Sequence, residues 1–152
     1  MAALEFASEE IKSDKEVVIA AVKLNADAFL LLSEELKADK EVVIEMLKHT
    51  RYGLSYGLYI LSEEMKADKD VVIAAVKYDG SRLEDASEEL KADKEVVLAA
   101  VNNDGMGLQH ASDELKANKE VVMAAVKNKS DALDDASDSL KKDPEILALI
   151  DN

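Results

Sequence analysis

The chain is 152 residues long, 48% hydrophobic and 34% charged, and its 19 Lys and Arg against 33 Asp and Glu give a net charge of −14. That apolar fraction excludes a disordered acidic tail, and the negative field works against direct binding of nucleic-acid phosphates or anionic membranes. With no cysteine and only two histidines, disulfides, thiolate metal sites and cysteine nucleophiles are excluded, and acid–base chemistry is sharply limited.

The amino terminus, Met1-Ala2-Ala3-Leu4-Glu5, has neither the basic start nor the apolar stretch of a signal peptide. No apolar run approaches the ~18 residues of a membrane span, so a cytoplasmic protein is expected. Residues 1–13 carry Ser8-Glu9-Glu10-Ile11-Lys12, an element whose serine returns at Ser33, Ser62, Ser87, Ser112 and Ser137. At Asp14 a second element begins, Asp-Lys-Glu-Val-Val. It returns from Asp39, Asp68, Asp93 and Asn118, and closes the chain as Asp143-Pro144-Glu145-Ile146-Leu147. The steps between these starts are 25, 29, 25, 25 and 25 residues. One repeat domain is therefore predicted: a half repeat 1–13, repeats 14–38, 39–67, 68–92, 93–117 and 118–142, and a half repeat 143–152.

Each repeat reads as two short helices. The first, for example from Lys94 to Asn102, opens on an aspartate able to accept the free N–H groups of the first turn. Asp14, Asp39, Asp68, Asp93 and Asp143 fit that role, with Asn118 as an acceptable substitute, and Pro144 sits at the first helical position, where a missing N–H costs nothing. Gly80 and Gly105 read as left-handed stops for this helix. The second helix is expected from about Ser81, with Ser81 and Glu84 at capping-box spacing and Leu83, Ala86 and Leu90 on one stripe that Ser87 is small enough to join. The first helix is apolar nearly all round, as in Val96-Val97-Leu98-Ala99-Ala100-Val101, so it should be the inner element.

Helices this short cannot bury a core alone, but stacked neighbours can. The predicted fold is an all-α solenoid of about twelve short helices, right- or left-handed, built from ~25-residue two-helix repeats.

The strings Asp93-Lys94-Glu95-Val96-Val97-Leu98-Ala99-Ala100-Val101 and Ala86-Ser87-Glu88-Glu89-Leu90-Lys91 resemble the family catalogued as domain of unknown function 4116, over essentially the whole chain. The resemblance implies no activity, cofactor or catalytic residue.

Lysines at 12, 37, 66, 91, 116 and 141 follow an acid three residues earlier and read as in-helix ion pairs on a solvated face. The loops before Gly80 and Gly105 lack the first ligand of a calcium-binding loop. His110 stands where other repeats have Asp85 and Asp135 and reads as an exposed surface residue; His49 ends a helix, where a cation suits the dipole. No nucleophile-elbow, phosphate-loop or dinucleotide motif occurs, so neither catalysis nor a cofactor is expected.

The 29-residue unit carries four extra residues, about one helical turn. Leu54, Leu58, Leu61 and Met65 continue the core stripe there, while Tyr52, Tyr56 and Tyr59 form a second stripe roughly opposite it. From Met46 to Ser62 there is no acidic residue, and Lys48, His49 and Arg51 make this a cationic aromatic patch. Across repeats, Phe6, Leu31 and Ile60 are equivalent to Asp85, His110 and Asp135, and Leu30 and Tyr59 to Glu84, Gln109 and Asp134. The amino-terminal half is thus apolar where the other half is charged.

Such a patch marks an interaction surface. The expected function is a non-catalytic interaction module that binds a protein partner, or itself, through Phe6, Leu30, Leu31, Arg51, Tyr52, Tyr56, Tyr59 and Ile60. Three other readings of the chain's features stand beside it: tyrosines covering a core edge, a small-molecule pocket, and an acidic decoy that imitates nucleic acid in a basic groove. The apolar end at Ile146, Leu147, Leu149 and Ile150 suggests a homodimer contact or a cut from a longer array.

Overall fold

A computed structural model describes residues 7–49 and 58–150, and among them every regular element is helical. The aspartate caps form as their chemistry requires. Asp93 Oδ1 accepts the N–H groups of Glu95 and Val96 at 2.9 and 3.2 Å, and Asp14, Asp39, Asp68 and Asp143 do the same for their own first turns. From these caps run the long helices Lys15–Leu24, Lys40–His49, Lys69–Val76, Lys94–Asn103 and Lys119–Asn128, and the shorter Pro144–Leu147. Pro144 occupies the first turn, behind the Asp143 cap.

The long helices lie side by side in chain order. Two consecutive valines in the second to fifth of these, such as Val96 and Val97, are fully buried, as are Ala75, Ala100 and Ala125 one turn on; in the first, Val18 is buried and Val17 exposed. Small side chains let neighbouring helices approach closely, and burying an aliphatic side chain contributes about 1.5–3 kcal/mol each. No unit could supply that burial alone. The solenoid is present as a stack.

The second half of each unit differs from the single helix expected. It is divided into a 3₁₀ segment and one turn of α-helix, as in Gly80–Asp85 followed by Glu88–Lys91, and in unit 118–142 into two 3₁₀ segments, Ser130–Asp135 and Leu140–Lys142. Leu83, Ala86 and Leu90 are buried as the stripe requires, but Ala86 is extended at φ −69° and ψ 158° and breaks the helix. The caps also shift. Asp79, not Ser81, caps the 3₁₀ segment by accepting the Ser81 N–H at 3.1 Å, and Ser87 is the cap of Glu88–Lys91 rather than a stripe residue. Its N–H donates to the Lys66 carbonyl of the preceding unit at 3.0 Å, and Ser112 and Ser137 repeat that bond to Lys91 and Lys116. A continuous helix would leave no backbone free to tie units together.

Gly80 and Gly105 are not left-handed stops. Each begins a 3₁₀ segment, buried, where a Cβ would lie 2.4 Å from the carbonyl oxygen of Ala100 or Ala125 in the following unit. They are glycines because two backbones meet there.

Candidate functional site

Four of the eight predicted interface residues lie among the described residues. Leu30 and Leu31 end the 3₁₀ segment Ala26–Leu31; Tyr59 and Ile60 end its counterpart Leu58–Ile60. Phe6, Arg51, Tyr52 and Tyr56 lie outside the described residues, as does Leu54 of the core stripe. Three residues per 3₁₀ turn set which side chains share a face. Phe29 and Leu58 therefore point inward, 3% and 0% exposed, while Leu30 is 47%, Leu31 38% and Tyr59 51% exposed. Ile60 is half-buried and packs against the core. In the carboxy-terminal units the same outward positions hold Glu84, Gln109 and Asp134, all exposed. One scaffold position thus presents apolar groups in the early units and charged or polar ones in the later units.

The cations near this surface are partly neutralised. Glu45, half-buried in the helix Lys40–His49, meets His49 at 3.0 Å, Lys48 at 3.4 Å and Lys23 at 3.8 Å. Burial alone would push its carboxyl up; the His49 hydrogen bond and the two lysines outweigh it and hold the group below its usual range. His110, read as exposed, is half-buried, and that burial lowers its pKa.

Sequence reasoning missed three features that depend on how units meet. The first is a lysine clamp. Lys69 reaches across to Asp93 and Glu95 of the next unit, both at 2.8 Å. Lys15 does the same with Asp39 and Glu41, Lys40 with Asp68 and Asp70, and Lys119 with Asp143 and Glu145. The Lys69 hydrogen bond lowers the Asp93 pKa, and the Asp93 and Glu95 bonds raise that of Lys69. At the one joint with an asparagine cap, Asn118, Lys94 pairs with Glu120 alone. The in-helix pairs also form, at Lys37–Glu34, Lys66–Glu63 and Lys91–Glu88.

The second is an amide staple. Asn103 Oδ1 accepts the Gly80 N–H at 2.9 Å while its Nδ2 donates to the Lys77 carbonyl at 2.8 Å. Asn128 repeats this on Gly105 and the Asn102 carbonyl, at 2.8 and 3.0 Å.

The third is an apolar band on the outer face of the long helices. Ile19, Ile44, Ile73, Leu98 and Met123 occupy one repeat position, and all are half-buried. A groove of about 820 Å³ includes Leu98, Met123 and Ala124 among its lining. The signal was present as a large apolar residue five positions after the cap of each of the five long helices, hidden because that helix is apolar nearly all round.

At the carboxy-terminal end, Ile146 is buried, while Leu147 and Ile150 are each 38% exposed. Among the described residues, no helix is long and apolar enough to cross a membrane.

The profile of a family described as a domain of unknown function (DUF4116) matches residues 2–37, 39–91 and 93–141. Comparison with curated proteins and with solved structures finds no match.

Proposed function

The chain belongs to the DUF4116 family, and we propose that it is a non-catalytic, cytoplasmic interaction module that binds a protein partner, or a second copy of itself, through the surface of its first two repeats. The observation that supports this most is the exposure of Leu30, Leu31 and Tyr59 at scaffold positions that later units fill with Glu84, Gln109, His110 and Asp134. A solenoid needs no apolar group there, since the later units stack without one. Exposed apolar groups on such a surface mark an interaction site, and tyrosine is among the residue types that carry interface energy. Phe6, Arg51, Tyr52 and Tyr56 extend the same surface in this reading, and the exposed Leu147 and Ile150 offer a smaller contact for a homodimer.

The acidic decoy has less support. Many carboxylates of the repeat are already engaged by lysines in the clamps and in-helix pairs, so the lattice offers a basic groove fewer free charges than the net charge suggests.

The test replaces Leu30, Leu31 and Tyr59 by serine in the full chain. None is buried, so the fold should persist, as far-UV circular dichroism would verify. Sedimentation mass and affinity co-purification from the native cell are then compared with wild type. Loss of a co-purifying protein or of self-association is expected. Unchanged mass together with unchanged partners would refute the reading.

A further inference from the structure

We infer that the outer face of the long helices in units 68–142 seats an amphipathic α-helix of a partner, laid along the array, acidic on one flank and basic on the other. This surface is separate from the Leu30–Tyr59 patch and does not depend on it.

The face has a width, a period and a polarity. Its floor is Ile73, Leu98 and Met123, each beside a small residue, Ala74, Ala99 or Ala124, and all are half-buried. Toward the helix amino termini it is bounded by Asp70, Glu95 and Glu120, and toward the carboxy termini by Lys77, Asn102 and Lys127. These two edges are seven residues apart on each helix, or about 10.5 Å at 1.5 Å per residue, close to the 10–12 Å diameter of an α-helix.

The period points the same way. Packed helices lie about 8–10 Å apart, so the floor presents one large apolar group per such step. An α-helix with an apolar residue every seventh position offers one every ~10.5 Å. A strand offers same-face residues at about 6.6 or 13 Å and falls out of step.

Polarity selects the flanks. At the amino-terminal edge Lys69 faces two carboxylates, Asp93 and Glu95, leaving net negative charge there, while Lys94 and Glu120 balance one another. At the other edge, Lys77 and Lys127 make no ion pair among the described residues. A chain of net charge −14 thus carries a cationic margin along one side of an apolar groove. A partner helix with carboxylates over Lys77 and Lys127 and a basic group over the Asp93–Glu95 pair, which outnumbers its one lysine, complements both.

The test uses a fluorescein-labelled synthetic peptide of about 21 residues, three heptads, with leucine at heptad spacing, glutamate on one flank and lysine on the other. Its anisotropy is titrated with the full-length protein. Saturable binding is expected, weakened about tenfold or more by 0.5 M salt and by the double variant Lys77→Glu/Lys127→Glu. Those two lysines are exposed and unpaired, so the variant should fold. Leu98→Gln should weaken binding comparably, whereas Leu30→Ser/Tyr59→Ser should leave it unchanged. A peptide of equal composition with alternating leucines should not bind. No saturation at about 100 μM protein, equal binding by the alternating peptide, or indifference to the lysine double variant would overturn the inference.

Discussion

Replacing Gly105 by alanine probes the joint between units directly. The new Cβ would lie 2.4 Å from the Ala125 carbonyl oxygen and 3.0 Å from Lys129 Cβ. That oxygen already accepts the Lys129 N–H at 2.8 Å and belongs to the helix end, so it cannot swing aside. The two units must part by about 0.6 Å to reach even a 3.0 Å contact, and a radial gap of that size forfeits a quarter to a half of the dispersion well for facing atoms. The overpacking costs about 1–3 kcal/mol, and straining the 2.8 Å bond from the Gly105 N–H to Asn128 adds about 1 kcal/mol. The lower entropy of an unfolded alanine returns about 0.4–1 kcal/mol. A net loss of about 2 kcal/mol, or a fall of roughly 4–8 °C in Tm for a chain of this size, is expected in thermal circular dichroism. Gly105→Asn separates the causes: a left-handed stop would tolerate asparagine better than alanine, whereas a close approach makes it at least as damaging. Ser130→Ala, at the equivalent but exposed position, should stay within about 0.5 kcal/mol of wild type. An alanine variant as stable as wild type, or an asparagine variant that recovers stability, would refute the reasoning.

Two further outcomes follow from the clamps. Asn118→Asp supplies the carboxylate that Lys94 lacks at its joint; asparagine and aspartate cap about equally, so the gain is the ion pair and dipole term, about 0.5–1 kcal/mol, seen as a higher Tm at low salt that shrinks in 1 M NaCl. An unchanged Tm at low salt would mean the clamps contribute nothing to the joints. For pH, Asp39, Asp93 and Asp143 are lowered from 3.8, each chiefly by its lysine. Their stabilisation is present above that value and lost as pH falls through the lowered one. Lys15, Lys40, Lys69 and Lys119 are raised from 10.5 by their acids, so their share is present below 10.5 and lost above it. Tm should therefore hold level between about pH 5 and 10 and decline on both sides; a Tm that climbs steadily below pH 4 would contradict the clamp account.

What the sequence revealed was chemistry completed within a few residues. An aspartate cap and a proline in the first turn each depend on their own helix, and each appears where the pattern placed it. The departures arise where the deciding partner sits about 25 residues away. Ser87 has the spacing of a stripe residue, and only the Lys66 carbonyl of the neighbouring unit shows why the backbone opens there. Gly80 after a helix end looks like a stop, and the Ala100 carbonyl that forbids a side chain is invisible along the chain. The lysine after each cap is given no role by its own repeat, because its bonds run to the next copy. For the candidate interface, exposure at Leu30, Leu31 and Tyr59 was legible by aligning units, since their charged equivalents mark the outward position.

The joints of the array are unequal. Asn103 pins the later units with two bonds and Asn128 with three, whereas the corresponding residue of the first long helix is Leu24, 83% exposed and unable to bridge. Units in a stack bear load in series, so tension on the two ends falls equally on every joint and the least fastened gives way first. The molecule is built like a chain whose later links carry amide rivets that the first lacks, and that first link adjoins the surface through which it is proposed to grip its partner.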